Sequence, residues 1–292
     1  ALQKGYYGEW AVCRDLDEET VLNRIANGDH WIVRMRSGGK LGNSRVYHDG
    51  IRGDISMQEN ILDAVIIKGD GLPTYHFAHV VDDHLMRTTD VIRADEWIAS
   101  IPLHVEMFQL LDLPVPRYTH LSPIMKNESK KDGAGISRRK LSKRKDPEAR
   151  VGYYDEAGYP VPAVLDYLLT ISSADYEPWR EANMDASIFE FGLDLAKSGV
   201  AGALFDFDKL NNVAKKRIGH MSEEQIFSAV SAWAERYDPR LNSYIQNNRE
   251  SFRESISVWH EKRLDVAKWS DLMELYPYMY DPTFAVDANT LP

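Results

Sequence analysis

The chain has 292 residues, a formal net charge of -10 and a single cysteine, Cys13. Its length is enough for about two domains of ordinary size. One cysteine excludes an internal disulfide and a cysteine-rich zinc site, and it suits the reducing cytoplasm. No stretch approaches the roughly 18 consecutive apolar residues of a membrane helix. The sequence therefore predicts a cytoplasmic protein that has no membrane partner and binds no zinc.

The first 70 residues are predicted to form a mixed α and β module. Residues 18–27 have the spacing of a short amphipathic helix. Residues 30–36 alternate apolar and polar side chains as a strand does. Residues 45–47 and 64–67 are predicted as further strands that lie between glycine-containing turns.

Strand and helix alternate from residue 71 onward. Residues 90–92 are predicted to form a short strand, and Ser100 is predicted to cap a helix that carries Pro102 in its first turn. The apolar residues of this helix recur at helical spacing, at Ile101, Val105, Phe108 and Leu111. A second strand is expected at residues 118–121. This alternation predicts half of a doubly wound α/β sheet.

The pattern becomes helical from Pro160 onward. Ser222 and Gln225 form a capping box ahead of a helix with one apolar stripe, made of Ile226, Val230, Trp233 and Tyr237. Similar stripes predict helices at residues 161–171 and 182–196. The sequence therefore predicts an α/β part that is followed by an all-α part.

The most basic stretch of this acidic chain lies near its middle. Residues 126–145 contain nine Lys or Arg and two acidic residues, and glycines interrupt the run. A mobile loop that holds phosphates has this composition, and so does a solvated surface loop. Because a polyanion responds to the field within a Debye length of about 8 to 10 Å, the acidic total does not exclude a nucleic acid partner.

Two further segments are rich in polar groups. Asp82, Asp83 and His84 could hold a metal ion, or they could satisfy backbone groups where a strand meets a helix. Arg93 leaves the carboxyl end of an apolar strand, which is where open α/β sheets bind ligands. The alternative for Arg93 is a surface ion pair with Asp95 or Glu96.

These segments, in this order, resemble those of glutamyl-tRNA synthetase of the bacterial type, a class I aminoacyl-tRNA synthetase. Residues 140–144 are similar to the KMSKS-type loop of that class. The other matching segments are Val12-Cys13-Arg14, Trp31-Ile32-Val33-Arg34, Asp49-Gly50-Ile51-Arg52-Gly53, Asp70-Gly71-Leu72-Pro73-Thr74-Tyr75, Val80-Val81-Asp82-Asp83-His84-Leu85-Met86 and Val91-Ile92-Arg93-Ala94-Asp95-Glu96-Trp97. Any one segment is a weak signal, whereas the ordered set is strong through about residue 170.

The resemblance implies ATP-dependent activation of L-glutamate, with Mg2+ accompanying ATP, followed by transfer of glutamate to tRNA(Glu). It assigns catalysis to Lys140 and Lys143. It assigns glutamate binding to Tyr75, His79 and Arg93, although many relatives carry Asn where this chain has His79. The ATP contacts that it implies are Glu96, Trp97, Lys140, Leu141, Ser142, Lys143 and Arg144. We expect Arg93 and the two catalytic lysines to face a common cleft.

The resemblance also implies a fold and a domain division. The implied fold is the second half of a Rossmann-like class I synthetase catalytic domain, at residues 71–155, and part of the acceptor-binding insertion precedes it at residues 1–70. A helical stem-contact domain with the first anticodon-binding helices follows at residues 156–292. The His-x-Gly-His motif of class I enzymes is missing, and Ile218-Gly219-His220 is a chance match in a helical region.

We therefore expect the chain to be a fragment with little activity of its own. A half sheet leaves an edge and an apolar face uncovered, which favours self-association or pairing with the missing amino-terminal part. Three alternatives remain open at this stage. They are a glutaminyl-tRNA synthetase, a non-catalytic tRNA-binding module and a purely structural fragment.

Overall fold

A computed structural model describes residues 5–129, 135–262 and 265–285 of the chain. The chain divides into two compact units, Ala1–Ser122 and Pro123–Pro292. None of the helices in the described ranges has the length and apolar character that crossing a membrane requires. The domain division at residues 70 and 155 stays a prediction.

The described residues of the first unit form three α-helices and six strands. In chain order they are α1 (Glu18–Ala26), β1 (Val33–Arg34), β2 (Ser44–Asp49), β3 (Gly53–Gln58), β4 (Val65–Ile67), α2 (Tyr75–Leu85), β5 (Asp90–Ala94), α3 (Ile101–Leu110) and β6 (Arg117–Leu121). The predicted helix at residues 18–27 and the strands at 45–47, 64–67, 90–92 and 118–121 are therefore confirmed. The predicted strand at 30–36 is wrong in its length, because only two residues pair with the three-residue strand β4.

The main sheet has the strand order β3, β2, β6, β5. Strand β6 pairs in parallel with both β5 and β2, while β3 pairs with β2 in antiparallel. Helix α3 is the crossover between the parallel strands β5 and β6, as the half doubly wound sheet requires. The register places Arg93 opposite His120 and Asp49 opposite Tyr118. These pairings bring the polar ends of three strands together.

Helix α3 contributes its buried face to the core of this unit. Ile101 and Val105 pack with Tyr47 and Tyr118, and Phe108 packs in a neighbouring cluster around Val80. The last predicted stripe residue, Leu111, is 42% exposed because the helix ends one residue before it. Ser100 stands at the cap position as predicted, but its side chain makes no capping hydrogen bond.

The second unit begins with an antiparallel hairpin and continues with helices. The hairpin is β7 (Met125–Ser129) and β8 (Ile136–Lys140). The helices are α4 (Val151–Ala157), α5 (Val161–Ser172), α6 (Tyr176–Ala182), α7 (Phe207–Gly219), α8 (Glu223–Tyr237), α9 (Pro239–Asn247), α10 (Arg249–Lys262), α11 (Asp271–Leu275) and α12 (Pro277–Tyr280). The predicted all-α part and the helix at residues 161–171 are confirmed.

Helix α8 shows why local patterns predicted part of this unit well. The Ser222 side chain accepts the N–H of Gln225, and the Gln225 side chain accepts the N–H of Ser222. Ile226 and Val230 of the predicted stripe are fully buried. The helix predicted at residues 182–196 is wrong, because Ser187 and Asp194 cap two separate 3-10 turns with their side chains.

Candidate functional site

Arg93 lies near the carboxyl end of β5 and is held on three sides. Its Nε donates a hydrogen bond to Nε2 of His120 at 2.8 Å, and one Nη donates to Nδ1 of His104 at 3.0 Å. The other Nη donates to the carbonyl oxygen of Trp97 at 3.2 Å. The guanidinium carbon lies 4.7 Å from the centre of the Tyr118 ring. The side chain is therefore fixed in one plane by neutral groups.

No carboxylate in the described part of the chain lies within ion-pair distance of Arg93. The surface pair with Asp95 that the sequence left open is not formed, because Asp95 pairs with Arg52 at 3.3 Å instead. A guanidinium carries five N–H donors, and three of them reach the described partners, which leaves one on each Nη. Burial lowers the pKa of Arg93. A half-buried cation that pairs with no carboxylate in the described ranges, and that keeps one N–H donor on each Nη, is suited to bind a carboxylate.

The histidines beside Arg93 act as neutral acceptors. Because a guanidinium can only donate, Nδ1 of His104 carries the lone pair and its Nε2 carries the hydrogen. Nε2 of His104 lies 2.8 Å from Nδ1 of His76 and donates to it. Burial, followed by the nearby charge of Arg93, lowers the pKa of His76. His104 is fully buried, and burial lowers its pKa to about 2.

This lowered pKa predicts a pH dependence of stability. Between the ordinary histidine pKa of 6.5 and about 2, the unfolded chain binds one more proton at His104 than the folded chain does. The free energy of unfolding therefore falls as the pH falls through this window, and at pH 5 the loss from His104 is about 2 kcal/mol. The free energy of unfolding can be measured with urea at pH 7 and at pH 5. The difference between the two values should be about 2 kcal/mol smaller in His104→Gln than in the wild-type protein.

The matched control for His104→Gln is His48→Gln. His48 is an exposed histidine that lies outside the cluster of Arg93 and its neighbouring histidines. The wild-type protein and His104→Gln could instead lose the same unfolding free energy between the two pH values. That result would show that His104 does not carry the effect.

His79 lies one turn after Tyr75 on α2 and faces the same cluster. Its Nε2 lies 3.2 Å from the hydroxyl of Tyr118, and its Nδ1 lies 3.0 Å from Oδ2 of Asp83. The His79 and Tyr75 rings are nearly parallel, with centres 6.1 Å apart. Burial lowers the pKa of His79 and outweighs the opposite influence of Asp83.

Helix α2 agrees with neither of the two interpretations of residues 82–84. The segment lies within the helix, whereas the sequence suggested a junction between a strand and a helix. Neighbouring residues of a helix point about 100° apart, so Asp83 turns toward His79 while Asp82 and His84 are exposed. Sequence neighbours on a helix therefore do not converge on one ion here.

The aromatic residues predicted from the resemblance lie at the rim of the cluster. Tyr75 is the first residue of α2 and is 53% exposed. Trp97 lies in the 3-10 helix after β5, and its ring centre is 4.8 Å from that of Tyr75. Glu96 is exposed beside it in the chain. The structure thus brings Tyr75, His79, Arg93 and Trp97 together.

Several residues of this cluster were not predicted from the sequence. They are Asp49, His76, His104, Tyr118 and His120. The spacing of His76 and His79, three residues apart on one helix, was an available signal. The contacts of Asp49 and His120 depend on strand register, for which a single sequence gives no direct signal.

The described residues of the basic segment form more regular structure than the predicted loop. Its described residues up to Lys140 form the hairpin β7 and β8, while Lys130 and Lys131 lie outside the described residues. Asp146 closes the turn that follows. It is buried and accepts two hydrogen bonds from Arg139, at 2.6 and 2.7 Å, and one from the N–H of Ser142 at 2.9 Å. The Arg139 guanidinium holds the pKa of Asp146 well below its ordinary value.

These contacts divide the basic residues into two groups. Arg139 and Lys126 are paired with the buried carboxylates of Asp146 and Glu148. Within the KLSKR stretch the half-buried Leu141 packs against the core of the second unit, and Ser142 is half-buried as well. The outward-facing residues of the stretch are Lys140, Lys143 and Arg144. The turn is thus a rigid base that presents cations to solvent.

Known proteins similar to this chain agree with one another. Residues 8–187 match a family model described as tRNA synthetases class I (E and Q), catalytic domain. A glutamate–tRNA ligase from Clostridium beijerinckii is 46% identical over 283 residues, which are 96% of this chain and 50% of that relative. One from Sorangium cellulosum is 37% identical over 303 residues, which are 100% of this chain and 53% of that relative.

A solved structure gives the same result for the fold. The crystal structure of a glutamate tRNA ligase from Elizabethkingia meningosepticum in complex with its amino acid has a TM-score of 0.73 and 26% identity to this chain, and the match covers 97% of this chain and 57% of that one. The chain spans about half the length of the curated relatives it matches. The resemblance and the fold class predicted from the sequence are confirmed. The chain belongs to the class I tRNA synthetases of the glutamate and glutamine group, and its match lies in their catalytic domain.

Proposed function

We propose that this chain is the part of a glutamate–tRNA ligase that binds L-glutamate and the phosphates of ATP. The observation that carries the proposal is Arg93, a half-buried cation that has two N–H donors left and no acidic partner among the described residues. The similar proteins named above, two of which are glutamate–tRNA ligases at 46% and 37% identity, support glutamate as the ligand.

The proposed reaction needs positioned charges more than a catalytic base. The α-carboxylate of glutamate is ionised at pH 7. It attacks the α-phosphorus of ATP, a new carboxylate–phosphate bond forms, and pyrophosphate leaves with the bonding electrons. A hydroxyl at the 3′ end of tRNA(Glu) then attacks the carbonyl carbon of the adenylate, an ester bond forms, AMP leaves with the bonding electrons, and the hydroxyl proton passes to solvent. The protein supplies alignment and cations for the negative charge of the transition state.

The roles we propose for the individual side chains are those that the resemblance to the family implies. Arg93 binds the side-chain carboxylate of glutamate, and Tyr75 and His79 line the same pocket. Trp97 and Glu96 contact ATP beside it. Lys140 and Lys143 stabilise the phosphates, while Leu141, Ser142 and Arg144 support the turn that carries them. Mg2+ enters with ATP, bound to its phosphates, and the protein acts in the cytoplasm.

The test is glutamate-dependent exchange of pyrophosphate into ATP by the full-length protein. We expect exchange with L-glutamate and much less with L-glutamine, since an amide cannot form a charged pair with Arg93. Exchange that prefers glutamine would support a glutaminyl-tRNA synthetase. An absence of exchange together with salt-dependent tRNA binding would support a non-catalytic tRNA-binding module.

A further inference from the structure

Three side chains form a hydrogen-bonded line across the main sheet of the first unit. Asp49 ends β2, His120 lies in β6, and Arg93 lies in β5. These strands are neighbours in the sheet order. Asp49 is 1% exposed and His120 is fully buried. Neither residue belongs to the set predicted to touch a substrate.

Asp49 uses both of its oxygens as acceptors. Oδ2 accepts the backbone N–H of His120 at 3.0 Å and lies 2.7 Å from Nδ1 of the same residue. Oδ1 accepts the N–H groups of Ile51 and Arg52, at 3.0 and 2.9 Å. Burial would raise the pKa of Asp49, but the hydrogen bonds from His120, Arg52 and Ile51 outweigh it, so the pKa is lowered. Asp49 is therefore a carboxylate that can only accept.

The charge state of Asp49 decides the tautomer of His120. Because the carboxylate only accepts, Nδ1 of His120 carries the hydrogen and donates it. Burial lowers the pKa of His120 and outweighs the opposite influence of Asp49, so the ring is neutral at pH 7. Its Nε2 then holds a lone pair, which accepts the Nε–H of Arg93 at 2.8 Å. The other tautomer would place two N–H groups against each other.

We propose that Asp49 and His120 are positioning residues for Arg93, in which Asp49 fixes the His120 tautomer and His120 fixes the guanidinium plane. This proposal rests on the proposed function, since it names how the carboxylate-binding side chain is oriented. Because His120 holds Nε, it sets the orientation of the guanidinium plane and therefore of the two remaining Nη donors. A wrong tautomer would turn the guanidinium and misplace both donors.

The direct test is the tautomer itself, which needs no ligand. In 15N-histidine-labelled protein, a long-range 1H–15N spectrum distinguishes a protonated ring nitrogen from an unprotonated one. The His120 signals are identified by their absence from a His120→Gln sample. We expect a protonated Nδ1 and an unprotonated Nε2. A protonated Nε2, alone or together with Nδ1, would overturn the proposal.

The second test uses two substitutions that keep different halves of the His120 contact. An Asn side chain can donate from the Nδ1 position but has no acceptor for Arg93. A Gln side chain can accept near the Nε2 position but cannot donate to Asp49. Asp49→Asn is less informative, because each Asp49 oxygen accepts a backbone N–H and an amide would oppose one of them with NH2.

We expect His120→Asn to raise KM for glutamate about 10- to 100-fold, the loss of one hydrogen bond to a charged group. KM for ATP and kcat should change much less, and His120→Gln should raise KM for glutamate by less than His120→Asn does. Equal glutamate KM values in the two variants, or no rise in either, would overturn the proposal. If neither variant folds, the His120 ring signals are assigned in the wild-type protein by correlation with its backbone resonances, and the tautomer still decides.

The two proposals can fail separately. Wild-type protein that shows no glutamate-dependent exchange would overturn the proposed function. The tautomer of His120 is measured without glutamate, ATP or tRNA. It therefore tests the positioning role of Asp49 and His120 whether or not the enzyme assay succeeds.

Discussion

Replacing Arg93 with glutamine is expected to lower kcat/KM for glutamate by a few hundred-fold. The substitution removes the cation that faces the substrate carboxylate, and losing one partner of a desolvated, hydrogen-bonded charge pair costs about 3 to 4 kcal/mol. Because the pair already exists in the bound ground state, most of the effect should appear as a higher KM. Steady-state pyrophosphate exchange at varied glutamate concentration measures it.

Two further variants make the Arg93 experiment specific. Arg93→Lys keeps the charge but not the planar pair of donors, and should recover only part of the lost affinity. Arg117→Gln removes an arginine from the adjacent strand β6, where the side chain is exposed and pairs with Asp90 at 2.7 Å. Glutamate KM should stay near the wild-type value in Arg117→Gln. Similar losses in Arg93→Gln and Arg117→Gln would show that Arg93 has no special role.

The same substitution tests the choice of substrate. If the charge of Arg93 sets the preference for a carboxylate over an amide, Arg93→Gln should bring the glutamate and glutamine values of kcat/KM closer together. An unchanged ratio, with both substrates weakened equally, would place the source of discrimination in other residues of the pocket.

Features set by nearby residues could be predicted from the sequence. The strand that carries Arg93 is a local apolar run, and the capping box of Ser222 and Gln225 involves residues three positions apart. The helix at residues 161–171 and the stripe of α8 also arise within one element. In each case the residues that form the sequence pattern also form the structural element, within one short segment. Rules for periodicity and capping therefore apply directly.

Features set by strand register could not be predicted in this way. The contact between Asp49 and His120 joins residues 71 positions apart. The contact exists because β2 and β6 pair in parallel over a short stretch, in a register that places Asp49 opposite Tyr118. A shift of one residue would turn His120 to the other face of the sheet. The segment around Asp49 is one of those that resemble the family, but the resemblance does not indicate what the Asp49 carboxylate contacts.

The basic segment shows a second limit of sequence reasoning. Counting charges over residues 126–145 treats Lys126, Arg139 and Lys143 as equivalent. In the structure the first two neutralise Asp146 and Glu148, which follow the segment in sequence and are buried. Only the tertiary contacts distinguish lysines that support the turn from those that face solvent.

This distinction leads to the second large effect, which is expected for Lys143→Ala. Lys143 is exposed on the turn closed by Asp146, and no acidic side chain in the described ranges pairs with it. If it stabilises the phosphates as their negative charge shifts toward pyrophosphate, its loss should lower kcat about 100- to 1,000-fold while KM for glutamate changes little. Single-turnover adenylate formation at saturating ATP and glutamate measures this step.

Lys145→Ala is the matched control, because Lys145 is an exposed lysine on the same turn and lies outside the KLSKR stretch. Both substitutions remove one positive charge from one surface, so a general effect of charge on ATP encounter would slow both variants alike and weaken at high salt. A contact with the reacting phosphates would instead slow Lys143→Ala alone, and salt would not restore its rate. Equal rates for the two variants would therefore remove Lys143 from the catalytic group, even if each were slower than the wild-type protein.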